Sequence, residues 1–424
     1  MGSTGQSELL RLAEKILQAT TTIIRHLHDT NQREPSFDQN SSVIQGNDDS
    51  EAARVLLNDA ARSLMRLVNG PVNEFRSFFM TQYDLAAWQV ALDFGLFGHV
   101  PLGGRIGAKE LAQAAGLDVD RCGRLVRHLA AQHVFREAET DVFEHSAASA
   151  LIARDEGICA LLGSQVDEMF RAASEASACV RNAPFESGGV HSPFATRHGK
   201  PPYLWYAENP EKGVRFAKSM AGAAQMDRPI STLRDDFPWT KLQASGKVVD
   251  VGGGSGHVSI HLASYFPNLE FIVQDSNPKM LASAQANLSP TLAERITFMQ
   301  HDFFSEQPVK DASAFFLRQC LHNWNDKDCI RIIRALVPAL EKCKPGTPLL
   351  INDEILPALD QRSKFEEHSL RQYDMCMFVI FGSKQRTEKQ FEALLKEADP
   401  RFEVVKVHGS NAMGLVEAHL RHDL

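Results

Sequence analysis

The segment from Val248 to Gly256 constrains the fold of this chain more than any other, and it reads Val-Val-Asp-Val-Gly-Gly-Gly-Ser-Gly. The β-branched valines around Asp250 predict the end of a buried strand. The glycines allow positive φ angles and a close approach of ligand to backbone, and His257 to Tyr265 predicts a helix with an electropositive N-terminus. The segment therefore predicts a nucleotide-binding turn between a strand and a helix.

The spacing of the glycines narrows the choice of nucleotide. A dinucleotide fingerprint requires Gly or Ala at the sixth place of G-x-G-x-x-G, but counting from Gly252 that place is His257. A different pattern fits, Asp-x-Gly-x-Gly-x-Gly, carried by Asp250, Gly252, Gly254 and Gly256. It resembles motif I of the class I S-adenosylmethionine-dependent methyltransferases, which implies that Gly252 and Gly254 bind S-adenosylmethionine.

An acidic residue ends the next predicted strand, Leu269 to Asp275. Asp275 lies about twenty residues beyond the loop, where a carboxylate can bind a ribose diol. Because Ser276, Asn277 and Pro278 follow, Asp275 could also serve as a helix N-cap. The sequence leaves both roles open.

Composition limits the class of protein. A length of 424 residues favours two domains. The formal net charge of −8 gives no basic surface, so we expect no nucleic-acid partner. The seven cysteines lack metal-site spacing and predict reduced thiols without a metal. No apolar run approaches the roughly 18 residues of a membrane span and no signal peptide precedes the first helix, so we expect a cytoplasmic protein without membrane contact.

The N-terminal region is predicted to be helical. Apolar residues recur at helical spacing from Glu8 to His28, and this amphipathic helix predicts a dimer because its apolar stripe exceeds what a monomer leaves exposed. The polar stretch from Asp29 to Ser50 predicts a linker or a disordered loop, and helical patterns resume at Glu51.

A helix-turn-helix with a small wing is predicted next. Its helices are Lys109 to Gly116 and Arg121 to Ala131, and short strands follow around 134–137 and 142–143. Such a module can bind DNA or serve in packing. Since surrounding acidic residues offset its arginines, we favour packing.

From Lys247 onward the pattern alternates strand and helix and ends in a hairpin. The later predicted elements are Ala314–Arg318, 328–340, Leu349–Leu356, Glu388–Ala398, 402–407 and 415–420. The predicted fold is α/β, a doubly wound, Rossmann-like methyltransferase sheet with an N-terminal all-α dimerisation and winged-helix domain. The predicted boundaries are 1–153 for that domain, 154–235 for a helical connecting and substrate-lining region, and 236–424 for the S-adenosylmethionine-binding catalytic domain.

Polar residues follow the third and fourth strands of this sheet. Asp302 can accept a hydrogen bond from an exocyclic amine, and Phe303 offers a ring to a purine, although an acid beside a core Phe would look the same. Arg318 and His322 come after the fourth strand, at the edge where open α/β sheets bind ligands.

Three further motifs complete a resemblance to the caffeic acid-type small-molecule O-methyltransferases, and to their fungal secondary-metabolite members in particular. They are Leu321-His322-Asn323-Trp324, Asn352-Asp353-Glu354-Ile355-Leu356-Pro357 and Lys384-Gln385-Arg386-Thr387. The resemblance implies a homodimer with His322 as general base. It implies that Asp353, or Glu354 if the register slips by one, flanks this base together with Gln385, where many relatives carry a glutamate. The cofactor-binding residues implied are Gly252, Gly254, Asp275, Asp302, Phe303 and Arg318.

The sequence thus predicts an S-adenosylmethionine-dependent O-methyltransferase that acts on a phenolic or enolic hydroxyl of an aromatic secondary metabolite. One alternative is a pericyclase or dehydratase of the same fold that retains S-adenosylmethionine, but the presence of His322 does not favour it. A second alternative is a transcriptional regulator that uses the winged helix, which the charge and the adenosyl site disfavour.

Overall fold

A computed structural model describes residues 7–226, 230–242, 246–409 and 413–422. The chain divides into two compact units. The first comprises residues 1–171, 203–226 and 360–369, and the second comprises residues 172–202, 227–359 and 370–424. The α-helices of the described residues are α1 (Glu8–Asp29), α2 (Asp48–Asp93), α3 (Leu96–His99), α4 (Ala108–Ala115), α5 (Val119–Ala130), α6 (Ala147–Arg154), α7 (Glu156–Ser164), α8 (Phe170–Ala173), α9 (Ala176–Asn182), α10 (Pro193–His198), α11 (Pro202–Glu208), α12 (Pro210–Met226), α13 (Ile230–Asp236), α14 (His257–Tyr265), α15 (Pro278–Ala286), α16 (Pro290–Ala293), α17 (Asp326–Leu340), α18 (Lys364–Phe381) and α19 (Glu388–Ala398).

In the first unit the predicted amphipathic helix is confirmed as α1, which packs along α2. The polar stretch that follows α1 is a loop, and α2 begins at Asp48, three residues earlier than predicted. The reason is a capping box, in which Asn47 accepts a hydrogen bond from the Ser50 N–H and the Ser50 hydroxyl accepts one from the Asn47 N–H. The helix is kinked at Gly70, where φ is 65° and ψ is 169°.

The two helices predicted between Lys109 and Ala131 are present as α4 and α5. A three-stranded antiparallel sheet of order β1-β3-β2 accompanies them, formed by β1 (Arg105–Gly107), β2 (Phe135–Glu139) and β3 (Val142–His145). The strands β2 and β3 were predicted from the sequence, and β1 was not. The loop before α2 is held against this part of the chain, since the Phe37 carbonyl accepts a hydrogen bond from Ala147 at 3.0 Å.

An exposed apolar surface runs along the middle of α2 in the first unit, on both sides of the kink at Gly70, and we name it the α2 apolar band. Its members are Leu67, Val68, Val72, Phe75, Phe78 and Phe79, each more than half exposed. Part of α1 is similarly exposed, including Leu10 and Leu17. Contiguous apolar surface of this kind is uncommon on a monomer.

The second unit is formed around an eight-stranded sheet. Its central path runs in the order β10-β11-β8-β7-β4-β5-β6, and β9 pairs with β8 off this path. The strands are β4 (Gly246–Val251), β5 (Leu269–Asp275), β6 (Ile296–Gln300), β7 (Ala314–Arg318), β8 (Pro348–Leu356), β9 (Arg386–Thr387), β10 (Phe402–His408) and β11 (Met413–Leu420). All pairs are parallel except those of β11 with β8 and β10. The predicted doubly wound sheet with a terminal hairpin is confirmed.

Successive side chains of a strand point to opposite faces of this sheet, and apolar side chains are packed on both faces. Val249 and Val251 pack with residues of α17 and α19, whereas Val248 packs with residues of α14 on the opposite face. A strand buried on both faces reads as a continuous apolar run, which is why β4 and β7 were predictable.

The strand order reverses beside β4, because β5 lies on one side of it and β7 on the other. The loops that follow β4 and β7 therefore meet at the carboxyl edge, the position where open α/β sheets bind ligands. The register there places Asp250 opposite Phe316, and Arg318 opposite Asn352.

No helix in the described part of the chain is long and apolar enough to cross a membrane. The seven cysteines are unpaired. Within the residues described, no group of three or more His, Cys, Asp or Glu side chains is arranged to hold a metal ion.

Candidate active site

The glycine loop after β4 forms a cradle for a ligand. Gly252 and Gly254 have φ angles of 74° and 60°, which favour glycine. A Cβ atom at Gly252 would lie 3.2 Å from the Cys320 Sγ and 3.3 Å from the Phe303 ring. The cradle therefore has no room for a side chain at its first glycine, and its backbone stays accessible to a ligand.

Asp275 lies at the end of β5, directly beside this loop. Its Oδ2 accepts a hydrogen bond from the Gly254 N–H at 3.2 Å, and its Oδ1 accepts one from the Asn277 N–H at 2.9 Å. The N-cap of α15 is Asn277, whose side chain accepts from the Lys279 and Met280 N–H groups. The interpretation of Asp275 as the N-cap is therefore wrong. The Asp275 carboxylate is instead hydrogen-bonded to the backbone of the glycine loop.

The two residues predicted to contact an adenine lie in the loop after β6. Asp302 is exposed, and its carboxylate accepts a hydrogen bond from the Phe304 N–H at 3.0 Å. The Phe303 ring is half-buried and meets Trp324 edge to face, with the ring centroids 5.8 Å apart. Since Phe303 also lies close to Gly252, it connects the loops that follow β4, β6 and β7.

Arg318 ends β7 and is tied to the framework of the sheet. Its guanidinium donates to the side chain of Asn352, the residue opposite it on β8. Burial raises the pKa of Asp250 to about 6, and a 2.6 Å hydrogen bond from Ser259 together with the charge of Arg318 acts in the opposite direction. Arg318 thus contributes positive charge close to Asp250, near the end of β4.

His322 lies on a single 3-10 turn, Leu321–Asn323, directly after β7. The side chain is buried, and its Nδ1 lies 2.9 Å from Oδ1 of Asp353 on β8. The His322 N–H donates to the other carboxylate oxygen of Asp353 at 3.3 Å. Both the ring and the backbone of His322 are thus held by one carboxylate.

The sequence left open whether Asp353 or Glu354 meets this histidine, and the geometry brings Asp353 to it. Adjacent residues of a strand point to opposite faces, so Glu354 faces elsewhere. Glu354 lies near Cys376 instead. Burial raises the pKa of the Cys376 thiol to about 11, and the negative charge of Glu354 raises it further.

The hydrogen bond to Asp353 fixes which nitrogen of the ring can act as a base. A carboxylate accepts and does not donate, so Nδ1 carries the ring hydrogen and the lone pair is on Nε2. Within the described part of the chain, the polar contacts of the His322 side chain are made through Nδ1. Nε2 is therefore the atom able to take a proton from a bound hydroxyl.

Gln385 is also brought to this histidine. Its Nε2 lies 3.2 Å from Nδ1 of His322, and its backbone N–H donates to Asp374 at 2.8 Å. The Gln385 side chain is buried, and its Oε1 has no hydrogen-bond partner within the described part of the chain.

Two residues that sequence reasoning missed hold the backbone of the histidine turn. The Ser383 hydroxyl donates to the His322 carbonyl. The Arg386 guanidinium is fully buried and donates to the carbonyls of Leu321 and Trp324 at 2.9 and 2.8 Å, while pairing with Asp326 at 2.8 Å. Arg386 stands in a motif already singled out, but its contacts with carbonyl groups leave no pattern in a sequence.

The chain is similar in sequence to known proteins over most of its length. A family model described as an O-methyltransferase domain matches residues 180–400. The chain is 45% identical to O-methyltransferase sol2 of Alternaria solani, over 98% of this chain and 96% of that protein. It is 30% identical to a chlorophenol O-methyltransferase of Trichoderma longibrachiatum, over 94% of this chain and 86% of that protein.

Solved structures share the fold at lower sequence identity. The structure of OxaC in complex with SAH and oxaline superposes with a TM-score of 0.76 at 22% identity, covering 97% of this chain and 100% of that one. A structure described as a pericyclic reaction enzyme superposes with a TM-score of 0.75 at 21% identity, covering 96% and 100%. At such identities the likeness concerns the fold alone.

Proposed function

The chain belongs to the O-methyltransferase family and is an S-adenosylmethionine-dependent enzyme, and we propose that it methylates a phenolic or enolic hydroxyl of an aromatic secondary metabolite, with His322 as the general base. The observation that carries the proposal is the buried pair of His322 and Asp353, 2.9 Å apart, beside the glycine cradle. The chlorophenol O-methyltransferase among the relatives supports a phenolic hydroxyl as acceptor.

The residues of the cradle fit S-adenosylmethionine. When bound, this cofactor supplies a methyl group on a positively charged sulfur that leaves as a neutral thioether. We assign the backbone of Gly252 and Gly254 to close contact with the cofactor. We assign Asp275 to its ribose, and Asp302 with Phe303 to its adenine. Arg318 is held by its bond to Asn352 and adds positive charge near Asp250, at the strand that leads into the loop.

The contribution of the protein to the reaction is orientation and proton transfer. A phenol with a pKa near 10 is ionised to only about one part in a thousand at neutral pH, so its proton must be removed as the new bond forms. Nε2 of His322 takes this proton. The hydrogen bond from Nδ1 then strengthens, because the imidazolium donates to the Asp353 carboxylate.

The geometry does not favour the two alternative functions, a transcriptional regulator that binds DNA and a pericyclase. Arg127 on α5 is paired with Glu137 and Asp141 of the wing, which removes positive charge from the helix that would enter a DNA groove. We therefore propose that the protein has no nucleic-acid partner. A pericyclase would not need a buried histidine and carboxylate pair.

We further propose that the protein is a cytoplasmic homodimer without membrane contact. The α2 apolar band and the exposed part of α1 support the dimer, since a second copy would bury both. The division into an N-terminal dimerisation and winged-helix region (1–153), a substrate-lining region (154–235) and a catalytic domain (236–424) remains part of this proposal.

Removing the carboxylate of Asp275 is expected to weaken cofactor binding. Asp275→Ala should raise the dissociation constant of S-adenosylmethionine by about 10- to 100-fold, because a charge-assisted hydrogen bond contributes about 1.5 to 3 kcal/mol. Isothermal titration calorimetry measures this directly. Glu270→Ala, which removes an exposed carboxylate from the same strand, should bind like wild type. Equal affinities for Asp275→Ala and wild type would refute the ribose assignment.

Removing the imidazole of His322 is expected to slow methyl transfer to a simple phenol. His322→Ala should lose about 100- to 10,000-fold in turnover, the usual contribution of a general base, while its cofactor affinity stays unchanged. Single-turnover kinetics with labelled cofactor provide the measurement. His128→Ala, a change at a surface histidine, serves as control. If His322→Ala and wild type react at the same rate, His322 is not the base.

The α2 apolar band is expected to form a dimer interface. Light scattering of the full chain should give the mass of a dimer, and Phe78→Glu should shift it toward monomer because a charge would be buried unpaired. Val43→Glu, which alters an equally exposed apolar residue in the loop before α2, should leave the dimer intact. A wild-type protein that stays monomeric at micromolar concentration would contradict the dimer.

A further inference from the structure

Gln385 lies beside His322, but the transfer of a proton from the acceptor to His322 does not require it. Its carboxamide lies 3.2 Å from Nδ1 of His322 and is buried, with Oε1 lacking a partner among the residues described. The Nδ1 hydrogen is directed to Asp353, and the amide NH2 group has no lone pair to accept it, so Gln385 supplies neither a charge nor an acceptor to Nδ1.

The remaining charges around the histidine turn balance one another. Lys384 and Arg386 both pair with Asp326. Asp374 on α18 supplies a further negative charge, but it accepts the hydrogen bond of the Gln385 backbone N–H. These four groups sum to zero, and among the residues described Asp353 is the carboxylate in contact with the ring. Burial raises the pKa of the nearby Cys320 thiol well above its ordinary value, so this thiol is neutral at physiological pH, and the Tyr373 ring meets that of His322 edge to face.

A base supported by one carboxylate is less effective toward weakly acidic acceptors than a base supported by two. A hydroxyl that is already ionised at neutral pH needs no base at all: its oxygen attacks the methyl carbon, the carbon–sulfur bond breaks, and the sulfur leaves as a neutral thioether. A weakly acidic phenol must also pass its proton to Nε2 of His322 in the same step, and this becomes harder as the support for the imidazolium decreases.

We infer that Gln385 makes the enzyme selective for acidified hydroxyls, meaning phenols that carry an electron-withdrawing acyl or nitro group and the enols of 1,3-dicarbonyl compounds. The inference rests on the proposed function and names its acceptor class. A neutral amide at this position also avoids the repulsion that a second carboxylate would exert on an acceptor arriving as an anion.

The test compares acceptors of similar size but different acidity. Para-substituted phenols bearing nitro, acetyl, chloro or methyl groups, together with cyclohexane-1,3-dione, are methylated at one pH near neutrality, and kcat/KM is measured for each. Wild type is expected to favour the acetyl over the methyl phenol by at least about tenfold, since the ionised fraction falls tenfold for each pKa unit above the assay pH.

Gln385→Glu provides the second arm. It should raise kcat/KM for the methyl phenol by about tenfold or more, and leave unchanged or lower the value for the nitro phenol, so that the selectivity ratio falls at least about tenfold. Gln390→Glu, the same change at an exposed position of α19, should leave the ratio unchanged. Thermal unfolding verifies that both variants fold.

If Gln385→Glu does not fold, His322→Ala on the same series takes its place, and its loss should be large for the methyl phenol and small for the nitro phenol. A wild type that favours the methyl phenol, or a Gln385→Glu variant that changes every acceptor by the same factor, would overturn the inference. If wild type methylates none of these acceptors, the proposed phenolic or enolic function itself fails and the inference fails with it.

Discussion

The hydrogen bond between His322 and Asp353 is the interaction on which the rest of the site depends. It joins the turn after β7 to the neighbouring strand β8, and it is possible because the parallel register places Arg318 opposite Asn352. Asp353 is therefore the residue directly beyond the last paired position. A slip of one residue would direct its side chain to the other face of the sheet and leave a buried carboxylate without a partner.

The surrounding chain restrains this pair from several directions. Ser383 and Arg386 hold the carbonyl groups of the histidine turn, and Phe303 packs between that turn and the glycine loop. The glycine loop and the histidine turn are thereby formed by the loops after β4 and β7, the two strands that flank the reversal of strand order. Rigid placement of this kind is what a reaction limited by orientation requires.

Much of the second unit could be predicted because its strands are buried on both faces and its loops carry glycines and polar residues at fixed positions. The predicted bounds of β7 and α19 agree with the structure, which also brings Gln385 to His322 and Asp275 to the glycine loop. The contacts of Ser383 and Arg386 could not be predicted, since they join side chains to carbonyl groups some sixty residues away. Helix α18 was missed as well, and the choice between Asp353 and Glu354 required the register of the sheet.

The protonation state of the His322 ring tests the central claim most directly. Nitrogen-15 NMR of histidine-labelled protein, with the His322 signals assigned by comparison with His322→Gln, distinguishes the two neutral tautomers. A hydrogen on Nδ1 and a bare Nε2 are predicted, because Nδ1 faces the Asp353 carboxylate at 2.9 Å. A hydrogen on Nε2 of the resting enzyme would show that this atom cannot accept a proton from the acceptor hydroxyl, and would contradict the role of His322 as base.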